Sequence, residues 1–223
     1  MDVDWALAMV VFLFFISWAF IFTISVLQNQ EEENIEHLRY MSKIIRDMLV
    51  IKTYEIPAMY EANESREMVF YSTLLINESY KNSTFVKSND KRLPCMILGN
   101  KLYWQSNVTS GKNYFFVYYA KATSKKFCNS TLSTTNATML SLWAAKEKEM
   151  FHNSSINNFL LKDYDQLRDY EGITNNFMLE INIGNVSRVY GKRPPLATNV
   201  YVFNYYGKLY DSGEDVSLNI YMW

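Results

Sequence analysis

An uninterrupted apolar stretch comes first in the chain, because no charged residue occurs between Trp5 and Leu27. A helix of this length measures roughly 34 Å, which is enough to cross the hydrocarbon core of a bilayer. A cleaved signal peptide suits the flanks less well, since Asp2 and Asp4 precede the stretch and no small-x-small cleavage site follows it. A buried core helix is the third interpretation. The pattern favours a retained transmembrane helix at about residues 5–27.

After Leu27 the helical pattern continues, but its apolar residues lie on only one side of the predicted helix. Apolar residues recur at steps of three and four, which places them on one helix face; this stripe comprises Ile35, Leu38, Met41, Ile45, Met48 and Leu49. Pro57 disfavours helix in the residues before it, so we predict one helix of about 45 residues that ends before this proline. The expected division is 1–57 for the transmembrane and stalk helix and 58–223 for a β-rich domain. The stripe packs either against the protein's own domain or against neighbouring subunits, as an assembly surface.

The pattern after Pro57 is typical of strands. Apolar and polar residues alternate with period two in Asp215–Met222, and Gly99-Asn100 predicts a hairpin turn between Cys95–Leu98 and Lys101–Trp104. Further strands are predicted at Glu67–Ile76, Asn113–Ala120, Phe177–Ile183 and Asn199–Tyr205. One short helix is expected before Gly172, with Asp163 or Asp165 as its N-cap. The expected fold is therefore mainly β: a long N-terminal helix followed by a β-sandwich-like head that contains one short helix.

Composition supports the strands and excludes one class of partner. The 223 residues include 17 Tyr, 14 Phe and 5 Trp, and aromatic side chains favour strands. The net charge is only −1, so nothing in the charge balance favours a nucleic-acid partner.

Glycosylation signals indicate the compartment. The Asn-x-Ser/Thr pattern occurs eight times, against about three expected by chance from this composition; the asparagines are Asn63, Asn77, Asn82, Asn107, Asn129, Asn136, Asn153 and Asn185. Two cysteines, Cys95 and Cys128, suit one disulfide outside the cytoplasm. The basic residues Arg39, Lys43 and Arg46 argue for the opposite orientation, but long C-terminal domains translocate largely regardless of such counts. We expect a single-pass cell-membrane glycoprotein with an extracellular C-terminal domain.

Candidate catalytic and metal-binding residues are few. His37 and His152 have no motif that supplies a nucleophile, and two lone cysteines cannot assemble a zinc site. The acidic residues of segment 163–171 lack the order of a calcium-binding loop and suit a solvated helix start. We predict no enzyme, no catalytic residue, no metal and no cofactor.

Several segments together resemble archaeal type IV pilin-like surface proteins. They are Thr53–Tyr60 after the long helix, Asp163–Gly172, Asn176–Ile183, Gly191 with Pro194-Pro195, Asn199–Val202 and the closing Val216–Trp223. The resemblance implies a hydrophobic helix for membrane and filament core, a β-rich head outside, and a structural role. Archaeal prepilins carry a short basic leader that Met1–Trp5 lacks, so we expect a membrane-resident relative or a chain without its leader.

Two functions follow from these patterns. The first is a pilin-like structural subunit, with membrane lipid as one partner and a homo- or hetero-oligomer formed through the N-terminal helix as another. The second is a tethered adhesion domain that binds a glycan or protein, with sugar-stacking candidates Tyr118, Tyr119, Tyr201, Tyr205 and Tyr206. A membrane subunit of a virus or a secretion machine would have the same architecture.

Overall fold

The computed structural model describes residues 2–74, 78–121, 126–196 and 198–223. The fold is mainly β behind a long N-terminal helix, as the sequence predicts. In chain order the elements are α1 (Asp2–Asp47), β1 (Val50–Ala62), β2 (Arg66–Thr73), α2 (Glu78–Lys81), β3 (Phe85–Ser88), β4 (Lys91–Leu93), β5 (Cys95–Leu98), β6 (Lys101–Val108), β7 (Gly111–Ala120), β8 (Thr138–Met139), β9 (Lys146–Phe151), α3 (Asn153–Leu160), α4 (Tyr164–Tyr170), β10 (Phe177–Ile183), β11 (Val186–Gly191), β12 (Tyr201–Lys208) and β13 (Asp215–Met222).

Helix α1 ends at Asp47, ten residues before Pro57. The β-branched residues of the segment that begins at Val50 favour an extended backbone, and they form β1 instead of another helical turn. Pro57 lies inside this strand, beyond Glu55, the last residue that pairs with β9. At this position β7 is the strand that pairs with β1, and the Pro57 carbonyl oxygen accepts a hydrogen bond from the Trp143 N–H at 2.9 Å. Because the pairing with β9 has already ended, the missing proline N–H is tolerated.

Contacts divide the chain into two compact units. The first, called the helix unit here, comprises residues 1–47, 162–205 and 217–223, and the second, called the sandwich unit, comprises 48–161 and 206–216. The division falls within strands β12 and β13.

Two sheets form the sandwich unit. Their strand orders are β4-β3-β7-β1-β9 and β5-β6-β2-β8. Both contribute to one apolar core: Phe70 of β2 lies 5.0 Å from Phe115 of β7 and 5.8 Å from Trp104 of β6, measured between ring centroids. All three side chains are fully buried. The aromatic residues of the predicted strands therefore pack as the core of a sandwich.

A third sheet has the order β11-β10-β13-β12. In β13 the apolar residues Leu218, Ile220 and Met222 are fully buried and alternate with partly exposed neighbours, which confirms the predicted period of two. In the helix unit, the Tyr164 ring lies 4.9 Å from the Phe177 ring, and the Tyr164 hydroxyl accepts a hydrogen bond from the Phe177 N–H at 2.9 Å.

In the part of the chain that the structure describes, three short helices follow α1 where the sequence predicted one. The predicted helix is α4, whose N-cap Asp163 accepts a hydrogen bond from the Gln166 N–H at 3.0 Å, as expected. Sequence reasoning missed α2 and α3. Helix α3 is rich in Asn and Ser, which are poor helix formers, and it is held by the fully buried side chains of Ile156 and Phe159.

Candidate functional site

The most distinctive surface of the helix unit is the first half of α1. Residues Ala8–Val26 are long enough and apolar enough to cross a membrane, and none of this window is buried in the protein. Its large side chains are exposed all around the helix; they include Val10, Val11, Phe12, Phe14, Phe15, Trp18, Phe20 and Ile21. A soluble protein rarely exposes so large a continuous apolar surface.

One polar side chain of this segment, that of Thr23, is satisfied within the helix. The hydroxyl of Thr23 donates to the Ala19 carbonyl oxygen at 2.8 Å. Aromatic rings stack along the same helix, with Trp18 5.7 Å from Phe22 and 6.1 Å from Phe15. A helix that satisfies its own backbone and presents mainly apolar side chains, with Ser17, Thr23 and Ser25 as its small polar residues, suits a hydrocarbon environment.

The second half of α1 differs in its burial. Leu38, Met41 and Ile45 are at most 7% exposed, while Ile35 is half-buried. The last two stripe residues, half-buried Met48 and buried Leu49, follow the end of the helix and belong to the sandwich unit. Within the helix unit, the Ser42 hydroxyl lies 2.9 Å from the Tyr205 hydroxyl of β12, and the Arg46 guanidinium lies over the Tyr205 ring. The stripe is therefore buried within the protein's own fold, and its role as an assembly surface stays a prediction.

The glycosylation candidates lie mostly at the surface. Six of the asparagines are exposed: Asn63, Asn82, Asn107, Asn129, Asn136 and Asn185. Asn153, at the start of α3, is half-buried, and its backbone N–H donates to Asp211 at 2.8 Å. Asn77 lies outside the described residues. Six accessible asparagines can accept a glycan without rearrangement, although their occupancy stays a prediction.

The two cysteines form a disulfide between β5 and the segment after β7. Both are 2% exposed and belong to the sandwich core, and the Ser130 N–H donates to the Cys95 carbonyl oxygen at 3.0 Å. The bond therefore ties the segment that contains Asn129 to the sheet.

A serine, a histidine and an aspartate meet beside α3. The Nδ1 atom of His152 lies 3.1 Å from the Ser155 hydroxyl, and its Nε2 atom lies 3.9 Å from an Asp211 carboxylate oxygen. The second distance is too long for a hydrogen bond, and the first joins residues three apart at a helix start. Asp211 already accepts from the Asn153 N–H. The arrangement closes the first turn of α3 and lacks the geometry of a catalytic triad.

Burial lowers the pKa of His152 below its ordinary value of 6.5, against the opposing effect of Asp211. The folded protein therefore holds a neutral imidazole at neutral pH. Because the unfolded chain binds this proton more readily, stability is retained above pH 6.5 and falls as the pH is lowered below it.

A cationic cluster in the sandwich unit was not foreseen from the sequence. The Arg92 guanidinium lies 4.2 Å from the Phe85 ring centroid and 4.3 Å from that of Phe127, and it donates to the Asp211 carbonyl oxygen at 2.7 Å. Nearby Lys87 is 6% exposed, and burial, followed by Arg92, lowers its pKa. The cluster stabilises the segment before β13 and has no counterpart in a sequence motif.

The predicted sugar-stacking tyrosines divide between the two units: Tyr201 and Tyr205 belong to the helix unit, and Tyr118, Tyr119 and Tyr206 to the sandwich unit. In the sandwich unit Tyr118 stacks on Phe85 and Tyr119 stacks on Tyr54, so both serve packing. On β12, Tyr201 and Tyr205 are half-buried and share one strand face, while Tyr206 is exposed on the other.

Within the described residues, no group of three or more His, Cys, Asp or Glu side chains lies close enough together to hold a metal ion. His37 is exposed on α1 and has no such group around it. In comparisons with known proteins, no protein-family model matches the chain, and neither a curated protein nor a solved structure is similar to it.

Proposed function

We propose that the protein is a non-enzymatic structural protein of the cell surface, anchored in the membrane by a single N-terminal helix. The observation that carries the proposal is the unburied, all-round apolar surface of residues 8–26. Removing a large apolar side chain from water contributes about 1.5–3 kcal/mol. Burial of the whole segment in lipid is therefore the dominant favourable term available to it.

The sequons and the disulfide support an extracellular C-terminal part. Both features belong to compartments that add glycans and oxidise thiols. All eight sequons and both cysteines follow residue 60, on the same side of the helix in sequence. A retained anchor is supported further by the length of the uncharged stretch from Trp5 to Leu27, which exceeds the usual apolar region of a signal peptide.

A pilin-like role is the narrower form of the proposal. The outer half of α1 already buries its stripe within the protein, so the membrane half offers the apolar helix surface that a second copy could reach. We therefore place subunit contacts on residues 8–26, where helices of neighbouring copies would pack side by side in the membrane or in a filament core.

Fractionation of cells that produce the full-length chain tests the anchor. We expect the protein to stay in the membrane pellet after alkaline carbonate extraction, and its intact mass to include residues 1–30. Protease added to intact cells should digest the C-terminal part. A protein released by carbonate, or one cleaved near residue 27, would contradict a retained anchor.

Cross-linking tests the narrower role separately. Cysteine substituted at exposed Val10 or Phe14 should give disulfide-linked dimers within the membrane. The matched control is cysteine at exposed Tyr40, on the outer half of the same helix, which should stay monomeric. Equal cross-linking at both places would indicate random collision and would remove the support for helix-mediated assembly.

A further inference from the structure

An open groove in the helix unit is the strongest unassigned candidate for a ligand site. Its volume is about 480 Å³, within the range of about 300–1,000 Å³ typical of small-molecule sites. The second half of α1, the segment after α4, the approach to β12 and the end of β13 supply its walls. The lining residues are Asn34, His37, Leu38, Thr174, Asn175, Asn199, Tyr201 and Trp223.

Among the lining residues that the structure describes, the groove is polar and carries no Lys, Arg, Asp or Glu side chain; His37 is the one imidazole among them. Asn34, Asn175 and Asn199 supply three amides, each of which has donors and an acceptor. The Asn175 amide oxygen already accepts a hydrogen bond from the Thr174 hydroxyl at 3.1 Å, which leaves its NH₂ group as the donor for a ligand. Tyr201 and Trp223 add aromatic rings. The described lining residues thus supply no permanently charged partner for a phosphate or a carboxylate. Amides beside aromatic rings suit a neutral ligand with hydroxyl groups on its edge and C–H groups on its face. A hexose ring has this chemistry.

The far wall of the groove is held in place by the fold. The backbone N–H and carbonyl of Trp223 pair with those of Asn176, both at 3.1 Å. The Asn176 side chain in turn accepts a hydrogen bond from Arg168 at 2.7 Å. Asn175 and Trp223 are therefore positioned before any ligand arrives, which reduces the entropy lost on binding.

The helix places the groove close to the membrane. Asn34 follows Val26, the last residue of the candidate span, by eight residues, which corresponds to about 12 Å along a helix. The headgroup layer extends roughly 5–8 Å beyond the hydrocarbon core. Asn34 therefore lies about 4–7 Å beyond this layer, and a sugar carried on a lipid reaches it when the headgroup extends outward from the membrane. This step rests on the proposed membrane anchor.

We propose that this groove binds a neutral hexose ring, presented either by a glycolipid of the same membrane or by a soluble glycan. The amides bind the ring hydroxyls, and Tyr201 and Trp223 contact its apolar face.

Two binding measurements on the full-length chain in phosphatidylcholine nanodiscs separate the sources. Saturation-transfer NMR with methyl β-D-galactopyranoside measures the free sugar. Native mass spectrometry, after doping the discs with monogalactosyl diacylglycerol or phosphatidylglycerol, measures retained lipid. Retention of the galactolipid over phosphatidylglycerol supports a lipid source, and binding of the free glycoside alone supports a soluble one. Failure of both sugars to bind overturns the site, as does preferential retention of phosphatidylglycerol.

Variants locate the binding in the groove. Asn175→Ala and Asn199→Ala should each weaken sugar binding by roughly 3–10-fold, the effect of one lost hydrogen bond. The matched control is Asn204→Ala, since Asn204 is exposed on β12 outside the lining and should bind as the parent does. Equal binding by all three variants would overturn the assignment.

The anchor is tested independently by carbonate extraction of the cell membranes that contain the same full-length chain. If carbonate extracts the chain but the free glycoside still binds in an Asn199-dependent manner, the anchor proposal fails and the sugar site stands. If the chain resists extraction and neither sugar binds, the sugar site fails and the anchor stands.

Discussion

The two halves of α1 are parts of one continuous helix, but they bury their apolar side chains in different ways. Between Ala8 and Val26 the apolar residues surround the helix, and the protein covers none of them. Between Leu38 and Ile45 they form a stripe, and the protein's own fold buries it to at most 7% exposure at three positions. Helix formation alone therefore does not distinguish the halves.

The comparison shows that the arrangement of apolar residues around a helix indicates what surrounds that helix. A one-sided stripe has its partner on one side, so it can be satisfied by a sheet or another helix. An all-round apolar surface needs an apolar environment on every side, which lipid or a bundle of copies supplies. The same substitution should therefore have different consequences in the two halves.

The largest effect is expected from Ile45→Asp. Ile45 is fully buried, so the variant would place an unpaired carboxylate in the core, at a cost of about 4 kcal/mol or more. We expect the variant to lose its cooperative unfolding transition. Near-UV circular dichroism, recorded in detergent during a denaturant titration, measures this transition. The control is Tyr40→Asp, because Tyr40 is 62% exposed and its replacement should leave the transition within experimental error. A folded Ile45→Asp variant would show that the stripe is dispensable for the fold.

The same change in the other half should leave the fold intact. Ile16 lies near the middle of the span and is exposed, so Ile16→Asp should cost about 2.5–3.5 kcal/mol in membrane insertion. The expected result is a larger carbonate-soluble fraction with an unchanged unfolding transition in detergent. An Ile16→Asp protein that unfolds in detergent as Ile45→Asp does would remove the distinction between the halves.

Sequence patterns predicted those helices, strands and turns that are determined by residues close together in the chain. The all-round and one-sided stretches of α1, the Gly99-Asn100 hairpin, the alternation in β13 and the Asp163 cap are each set by residues close in sequence. The predicted length of about 45 residues agrees with the 46 residues of α1, but the helix ends at Asp47, well before Pro57. The β-branched residues after Met48 already favour a strand there.

The remaining features depend on contacts between distant residues. Tyr210 is fully buried and its hydroxyl donates to the Ser83 carbonyl oxygen, 127 residues away in sequence. The groove walls likewise combine α1 residues such as Asn34 with Asn199 and Trp223. No periodicity joins such positions, so the sequence indicated the tyrosine-rich strands but neither this packing nor the groove.

A smaller difference is expected when a methionine is shortened in each half. Met41 is 7% exposed, and Met41→Ala should lower the free energy of unfolding by about 2 kcal/mol, because part of the vacated volume stays empty. Met9 is 48% exposed, and Met9→Ala should leave it unchanged in detergent. Denaturant titration of both variants measures the contrast. Equal losses would mean that the first half also packs within the protein.

The smallest effect concerns two hydroxyls on the same helix. The Ser42 hydroxyl contacts the Tyr205 hydroxyl at 2.9 Å, and Ser42 is fully buried, so Ser42→Ala removes a hydrogen bond that joins α1 to β12. We expect a loss of about 1 kcal/mol in the free energy of unfolding. The Thr23 hydroxyl bonds only its own helix, at Ala19, so Thr23→Ala should change unfolding by much less. Ser42→Ala combined with Tyr205→Phe should cost little more than Ser42→Ala alone, because both changes remove the same bond. Additive losses in that double variant would show that the two hydroxyls act independently, and that the apolar stripe alone holds the outer half of α1 in place.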